Sequence, residues 1–114
     1  MASRDFVPLS PAAFHILIAL ADGNKHGYAI MKDVAAVTGG EVQLNPGTLY
    51  TTIKRLLEED LIREVDAPLN AESSDERRRY YALTPAGRET ARTELERLRS
   101  MIRHASVRLS PKPL

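Results

Sequence analysis

The chain of 114 residues has no cysteine, no tryptophan and few aromatic residues, and each absence excludes something. Without cysteine there are no disulfides, no thiolate nucleophile and no cysteine-ligated zinc site. Aromatic residues make up 5% and apolar residues 43% of the chain, so its core must be small and mainly aliphatic. A small core leaves stability marginal, which makes oligomerisation a plausible source of further burial.

The sequence also lacks long apolar runs and an excess of one charge. No apolar run approaches the roughly 18 residues that would span a bilayer. The start, Met1 to Asp5, does not lead into a signal peptide, so we expect a cytoplasmic protein. The net charge is +1, so any nucleic-acid surface must come from local clusters of cations.

Three dipeptides place a capping residue before a proline, which is the pattern that starts a helix. They are Ser10-Pro11, Asn45-Pro46 and Thr84-Pro85. A further helix is predicted from His26-Gly27 to Gly39-Gly40, with an inward face of Tyr28, Met31, Val34, Ala35 and Thr38. Asp60 is expected to end the third helix by adopting a left-handed backbone.

Between the third and fourth helices the pattern predicts a hairpin, with strands at 61–66 and 77–83 and a polar loop at 67–76. The predicted fold class is mainly α with a small β-hairpin, a winged helix-turn-helix followed by a C-terminal dimerisation helix. The expected division is an N-terminal arm at 1–9, the winged domain at 10–84, the dimerisation helix at 85–105 and a flexible tail at 106–114.

The third helix carries the most informative pattern. Leu49, Ile53 and Leu56 fall on its inner side, whereas small, hydroxylic and cationic residues fall on the other. A helix that enters a DNA major groove needs a first turn without bulk and cations that reach phosphates. The predicted hairpin, or wing, adds three arginines, called here the wing arginines. The predicted DNA-binding residues are Asn45, Gly47, Thr48, Tyr50, Thr51, Lys54 and Arg55, with Arg77, Arg78 and Arg79 of the wing.

Each of these assignments has a plainer alternative. Lys54 and Arg55 would also suit an ordinary solvated helix face, and Tyr50 would also pack with its tip in water. The wing arginines form either a phosphate clamp or a charged strand end. Because strand geometry puts two of those three on one face, we expect only a subset to act.

The fourth helix has apolar residues alternately four and three residues apart, which is a heptad seam. The winged domain already looks closed, so this stripe is expected to need a partner chain. The first helix is apolar on more than one side and is expected to contribute. The predicted dimerisation residues are Phe14, Leu17, Ala91, Leu95, Leu98, Ile102 and Ala105.

Residues that would carry catalysis are missing. His15, His26 and His104 lie far apart without helical pairing, so neither a metal nor another cofactor is expected. No nucleophile-base-acid group or glycine-rich phosphate loop can be argued, so the protein is not expected to be an enzyme. The turn that contains Asp22, Lys25 and His26 is interpreted as structural only. Tyr28 is interpreted as a core or helix-packing residue.

Three motifs resemble the PadR family of transcriptional regulators. They are His26-Gly27-Tyr28, the run Pro46 to Tyr50 followed by Lys54-Arg55-Leu56 and Leu61-Ile62, and Arg79 to Gly87. The resemblance covers roughly Ser10 to Ala105. The short chain, with a single C-terminal helix, is similar to the small subgroup of that family. Thr51 and Asp60 depart from the proline and glycine that many relatives have at those positions.

The resemblance implies a homodimeric repressor that binds double-stranded DNA at a palindromic operator and is released by a small aromatic or drug-like effector. An effector site at the dimer interface would involve Phe14, Leu17 and Ile18 with Leu95, Leu98 and Ile102. The alternative is a winged-helix module that binds an acidic protein partner and has no specific DNA binding.

Overall fold

The computed structural model describes residues 8–71 and 78–111, and within them the chain forms four helices and one small sheet. The elements in chain order are α1 (Pro11–Leu20), β1 (Lys25–His26), α2 (Gly27–Val37), α3 (Pro46–Glu58), β2 (Ile62–Val65), β3 (Tyr80–Leu83) and α4 (Pro85–Leu109). The predicted fold class is confirmed: three helices, a wing and a long last helix follow one another as expected.

The three predicted helix caps are present. The side-chain oxygens of Ser10, Asn45 and Thr84 accept the backbone N–H groups three residues further on, at 3.1, 2.8 and 2.9 Å. A proline follows each cap, so one N–H that would lack a helical partner is simply missing. The helix starts are therefore set by local sequence.

The helices α2 and α3 end close to the residues that the sequence predicted would stop them. Asp60 has a φ of 61° and ends the turn after α3 in the left-handed region, as predicted. In α2 the last helical residue is Val37, and the Thr38 hydroxyl donates to the Val34 carbonyl at 2.8 Å. The helix thus ends just before the two glycines that were expected to stop it.

The sheet has three antiparallel strands in the order β1-β3-β2. The predicted hairpin is present as β2 and β3, with Ile62 opposite Leu83 and Val65 opposite Tyr80. Both strands are shorter than predicted, and part of the loop, 72–77, lies outside the described residues. The third strand, β1, was not predicted; it pairs Lys25 with Tyr81 and His26 with Tyr80.

The core is aliphatic and centred on α1, with α2, α3 and α4 packed around it. Its largest fully buried side chains are Ile16, Leu17, Ile30, Val34, Leu49, Leu56 and Ile62. Val34 of the predicted inward face of α2 is fully buried, as is Ile30, but the placement of Tyr28 on that face is wrong. Tyr28 is 50% exposed.

The last helix continues past its predicted end. Residues 106–109 were expected to begin a flexible tail, but they are helical, and α4 spans 25 residues. Ser110 then has an extended backbone (φ −63°, ψ 143°), because the residue before a proline is disfavoured in a helix. No helix within the described ranges is long and apolar enough to cross a membrane.

The start of α4 is joined to the turn that follows α3. The Thr84 hydroxyl donates to the Asp60 carbonyl at 2.7 Å, and the Thr84 N–H donates to the Leu61 carbonyl at 3.2 Å. Gly87 lies so close that any β-carbon there would collide with that same Leu61 carbonyl oxygen. Only glycine permits this approach of α4 to the Leu61 backbone.

Candidate nucleic-acid interface

The outer side of α3 forms one continuous exposed surface. Leu49, Ile53 and Leu56 are buried against the core, as the pattern predicted. All the residues assigned to DNA binding from this helix and its cap are exposed, namely Asn45, Gly47, Thr48, Tyr50, Thr51, Lys54 and Arg55. The structure thus places them together on the surface, while their contact with DNA stays a prediction.

Asn45 has a structural task within this surface. Its side-chain oxygen accepts the Thr48 N–H at 2.8 Å and so caps the helix. The first turn that follows is made of Pro46, Gly47 and Thr48, whose small side chains leave the backbone close to the surface. A first turn without bulky side chains is what close approach to base edges requires.

The cations of α3 line a shallow concavity of about 320 Å³ together with Ser10, Thr51, Thr52 and Glu58. Arg55 Nε lies 3.9 Å from Glu59 Oε2, and both side chains are more than half exposed. An exposed pair at this distance contributes little to stability. A phosphate could therefore engage Lys54 and Arg55 without displacing a strong internal interaction.

Tyr50 extends from α3 toward the start of α2. Its ring is 51% exposed, and its hydroxyl end lies over Gly27. A β-carbon at Gly27 would be 2.5 Å from the Tyr50 hydroxyl oxygen and 2.9 Å from the ring carbon that carries it. The glycine therefore makes room for the tyrosine, and one edge of Tyr50 packs while the other faces solvent.

The wing arginines diverge from one another at the base of β3. Arg78 Nη1 lies 3.5 Å from His26 Nδ1, and its guanidinium carbon lies 5.3 Å from the centre of the Tyr28 ring. Arg79 turns the other way, with its Nε 4.0 Å from Glu64 Oε2. Arg77, the third predicted member, lies outside the described residues.

These side chains enclose a cavity of about 260 Å³, called here the junction cavity. Its walls are His26, Gly27 and Tyr28 at the start of α2, Tyr50 of α3, and Arg78, Arg79 and Tyr81 of the wing. Burial, with Glu64 nearby, raises the pKa of Tyr81, so this phenol stays protonated. His26 and Tyr28, which were given structural roles from the sequence, also line this cavity.

The residues predicted for dimerisation fall into three groups by exposure. Ile102 is 61% exposed, Leu95 is 40% exposed and Ala105 is exposed, whereas Phe14, Ala91 and Leu98 are half-buried. Leu17 is fully buried in the core of its own protomer, so its assignment to a protein interface is wrong. The exposed apolar residue of α1 is instead Ile18, at 44%.

A second, more apolar cavity of about 190 Å³ lies between α1 and α4 and is called here the α1–α4 cavity. Phe14, Leu17, Ile18 and Leu95 line it, as the effector hypothesis required, but Leu98 and Ile102 do not. Arg88 and Arg92 also line it. The Arg88 guanidinium donates to the Ala21 carbonyl at 3.1 Å, which joins α4 to the end of α1.

Comparison with known proteins agrees with this architecture. Residues 16–93 match the model of the transcriptional regulator PadR-like family. An uncharacterised 37.1 kDa protein in transposon TN4556 of Streptomyces fradiae is 43% identical over 79 residues. That match covers 69% of this chain but only 20% of the relative, so the chain spans about a fifth of the relative's length.

Two solved structures share the fold. A PadR family transcription regulator from Clostridium difficile has a TM-score of 0.74 at 25% identity, over 89% of this chain and 100% of that one. Bacillus subtilis PadR, solved in complex with operator DNA, has a TM-score of 0.61 at 19% identity, over 90% of this chain and 49% of that one.

Proposed function

The chain belongs to the transcriptional regulator PadR-like family, and from this premise we propose that it is a homodimeric repressor of a palindromic DNA operator. The observation that carries the proposal is the exposed side of α3. It combines a capped, slender first turn with hydroxyl groups from Thr48 and Thr51 and with the cations Lys54 and Arg55. Such a protein would work in the cytoplasm, where the DNA is.

In this proposal α3 lies in the major groove. Thr48 and Thr51 are near enough to its first turn to meet base edges or sugar-phosphate oxygens, whereas the cations that follow reach phosphates. Bacillus subtilis PadR, which shares the fold, has been solved with operator DNA, and this supports the same use of the fold here. Most of the affinity would come from release of counterions and would fall steeply with salt.

The dimer would form through α4. This helix has 25 residues, so it is about 37 Å long, and every residue from Met101 to Ser110 is exposed in the protomer. The apolar seam of Leu95, Leu98, Ile102 and Ala105 continues along it. Pairing two such seams would bury these side chains and would hold two α3 helices at the roughly 34 Å that separates successive major grooves.

The α1–α4 cavity is the best-supported place for an effector. Its lining is mainly apolar, and two guanidinium groups, from Arg88 and Arg92, lie beside the apolar side chains. This combination suits a small aromatic compound with an anionic group. Because Leu95 of the seam lines the cavity, a ligand there would change the angle between the two α4 helices of the dimer and so release DNA.

The proposal is tested by measuring binding of the purified protein to labelled DNA fragments flanking its own gene, over a series of salt concentrations. Saturable binding to a subset of fragments, with a footprint of two-fold symmetry and a steep salt dependence, is expected. Weak binding that is equal for all these fragments would call for a selection of bound fragments from the whole genome. If no genomic fragment is bound more tightly than the others, an operator-binding function is contradicted.

A further inference from the structure

We propose that the junction cavity binds one phosphodiester group of the DNA backbone, held by Arg78, and that Tyr28 and His26 position this arginine. The inference rests on the proposed DNA-binding function and extends it from α3 to the start of α2. From the sequence, Tyr28 was assigned to the core and His26 to a structural turn. Their placement beside a wing arginine gives both a part in recognition.

Arg78 is held by two aromatic side chains that come from a different part of the chain. His26 Nδ1 accepts the Ala29 N–H at 3.0 Å as the cap of α2, and Arg78 Nη1 lies 3.5 Å from the same nitrogen. The guanidinium also lies 5.3 Å from the centre of the Tyr28 ring, within the range of a cation–π contact.

The aromatic support is itself ordered. The His26 and Tyr28 rings are stacked, with centres 6.5 Å apart and planes 12° from parallel, and the Tyr80 ring meets His26 edge-on at 5.2 Å. Tyr80 is buried and belongs to β3, whose partner β1 contains His26. The small unpredicted strand thus fixes the histidine, the histidine lies against Tyr28, and both rings contact the arginine.

The charges around the cavity favour an anion. Arg78 and Arg79 line it directly, and Lys32 Nζ lies 5.5 Å from the centre of the Tyr28 ring. The Glu64 carboxylate lies 4.0 Å from Arg79 Nε on an exposed strand. Two cations therefore line a volume whose other walls include the phenols Tyr50 and Tyr81, each able to donate a hydrogen bond.

The place of the cavity favours a backbone phosphate over a metabolite. The cavity, of about 260 Å³, lies beside the surface of α3 that is proposed to meet DNA. Tyr50 is both a wall of the cavity and part of the exposed side of α3. A DNA strand that follows the first turn of α3 would therefore pass directly over the cavity mouth.

The test uses the full-length protein and a short duplex of random sequence, because a phosphate contact does not depend on sequence. Affinity is measured over a salt series for the wild type, Arg78→Ala, Tyr28→Leu, Tyr28→Phe and the double variant Tyr28→Leu/Arg78→Ala. Arg103→Ala is the matched control, since it removes one cation from an exposed position of α4. Thermal unfolding of each variant checks that the fold is intact.

We expect Arg78→Ala to lower the slope of log affinity against log salt by about 0.9 for each protomer bound, and Arg103→Ala to leave the slope unchanged. Tyr28→Leu should weaken binding several-fold, whereas Tyr28→Phe keeps the ring and should bind nearly as the wild type does. In the Arg78→Ala background Tyr28→Leu should cost nothing more, because the tyrosine acts through the arginine.

An Arg78→Ala slope equal to that of the control would overturn the inference, and so would additive effects of the two substitutions. A calorimetric titration with inorganic phosphate tests whether the cavity binds a free anion instead of a DNA phosphate. If Arg78→Ala abolishes phosphate binding but leaves the duplex slope unchanged, the cavity serves a free anion and the proposal is wrong. If the wild type binds no duplex at low salt, the DNA-binding function itself fails.

Discussion

Gly27 and Tyr50 fit each other at the point where α2 meets α3. The Tyr50 hydroxyl end occupies the space where a β-carbon of residue 27 would stand, only 2.5 Å away. The two residues are far apart in sequence, yet each is placed by a helix start: Gly27 is the first residue of α2, and Tyr50 follows the capped turn of α3. Their contact holds one wall of the junction cavity in place.

The first prediction follows from this contact. Gly27→Ala should push the half-exposed Tyr50 ring outward with little loss of stability, because alanine suits a helix better than glycine. DNA affinity should fall about fivefold, equivalent to about 1 kcal/mol. Binding titrations and thermal unfolding of Gly27→Ala, Tyr50→Ala and the double variant check it. If Gly27→Ala weakens binding further in the Tyr50→Ala background, the tyrosine is not the cause.

A second prediction concerns the cations of α3. Lys54→Ala combined with Arg55→Ala should weaken binding to every duplex and lower the salt slope by about 0.9 for each phosphate contact that is lost. Binding measured by fluorescence anisotropy over a salt series gives the slope. The control is Arg99→Ala with Arg103→Ala, which removes the same charge from α4. Equal slopes for the two double variants would mean that α3 does not contact phosphates.

A third prediction addresses the dimer seam. Ile102 is 61% exposed in the protomer, so Ile102→Glu should leave the fold intact while it places two buried charges in the dimer. The loss of two buried side chains should raise the dimer dissociation constant by roughly a hundredfold. Sedimentation velocity measures it. The control Val107→Glu changes an apolar residue that is 77% exposed on the opposite side of α4, and it should remain dimeric. If Ile102→Glu remains dimeric as well, the seam is misassigned.

A fourth prediction concerns pH. Glu94 is buried, and its carboxylate accepts hydrogen bonds from the Arg97 guanidinium at 2.6 and 3.1 Å. These bonds, the charge of Arg97 and the Leu9 backbone N–H lower the Glu94 pKa below its ordinary value of 4.5, although burial opposes the shift. The stabilisation is therefore complete above about pH 4.5 and is lost as the pH falls through the lower folded pKa.

Glu94→Gln should accordingly lower the urea midpoint at neutral pH and flatten the decline of stability in acid. Urea titrations of both proteins between neutral and strongly acidic pH measure this difference. Glu96→Gln is the matched control, because Glu96 makes the same kind of pair with Arg99 on the exposed side of the helix. A control that loses as much stability as Glu94→Gln would show that burial of the Glu94 carboxylate is unimportant.

Local chemistry explains which parts of the fold were predictable. The caps at Ser10, Asn45 and Thr84 and the left-handed Asp60 depend on residues within one turn, so their sequence signal is complete. The end of α4 was predicted too early, at residue 105. Pro111 and Pro113 indicated a flexible tail, although the helical pattern continues beyond residue 105. The helix in fact ends at Leu109, directly before Ser110 and Pro111.

The parts that were missed depend on contacts distant in sequence. The strand β1 has two residues, too few for any periodicity, and exists because Lys25 and His26 meet β3. Tyr28 was placed on the inward face of α2 because of its helical spacing from Met31 and Val34, but the fold leaves it half exposed at the first turn. Glu94 was overlooked because a carboxylate is rarely buried, and the Arg97 side chain and Leu9 backbone that stabilise it there are visible only in the fold.

The hydrogen bonds of Thr84 and the close approach of Gly87 to Leu61 have a mechanical consequence. They tie the start of α4 directly to the turn that follows α3, so we expect the two helices to rotate together. A tilt of about 10° along a helix about 37 Å long moves its far end by about 6 Å. A small change in the crossing of two α4 helices would therefore carry each α3 out of register with its groove.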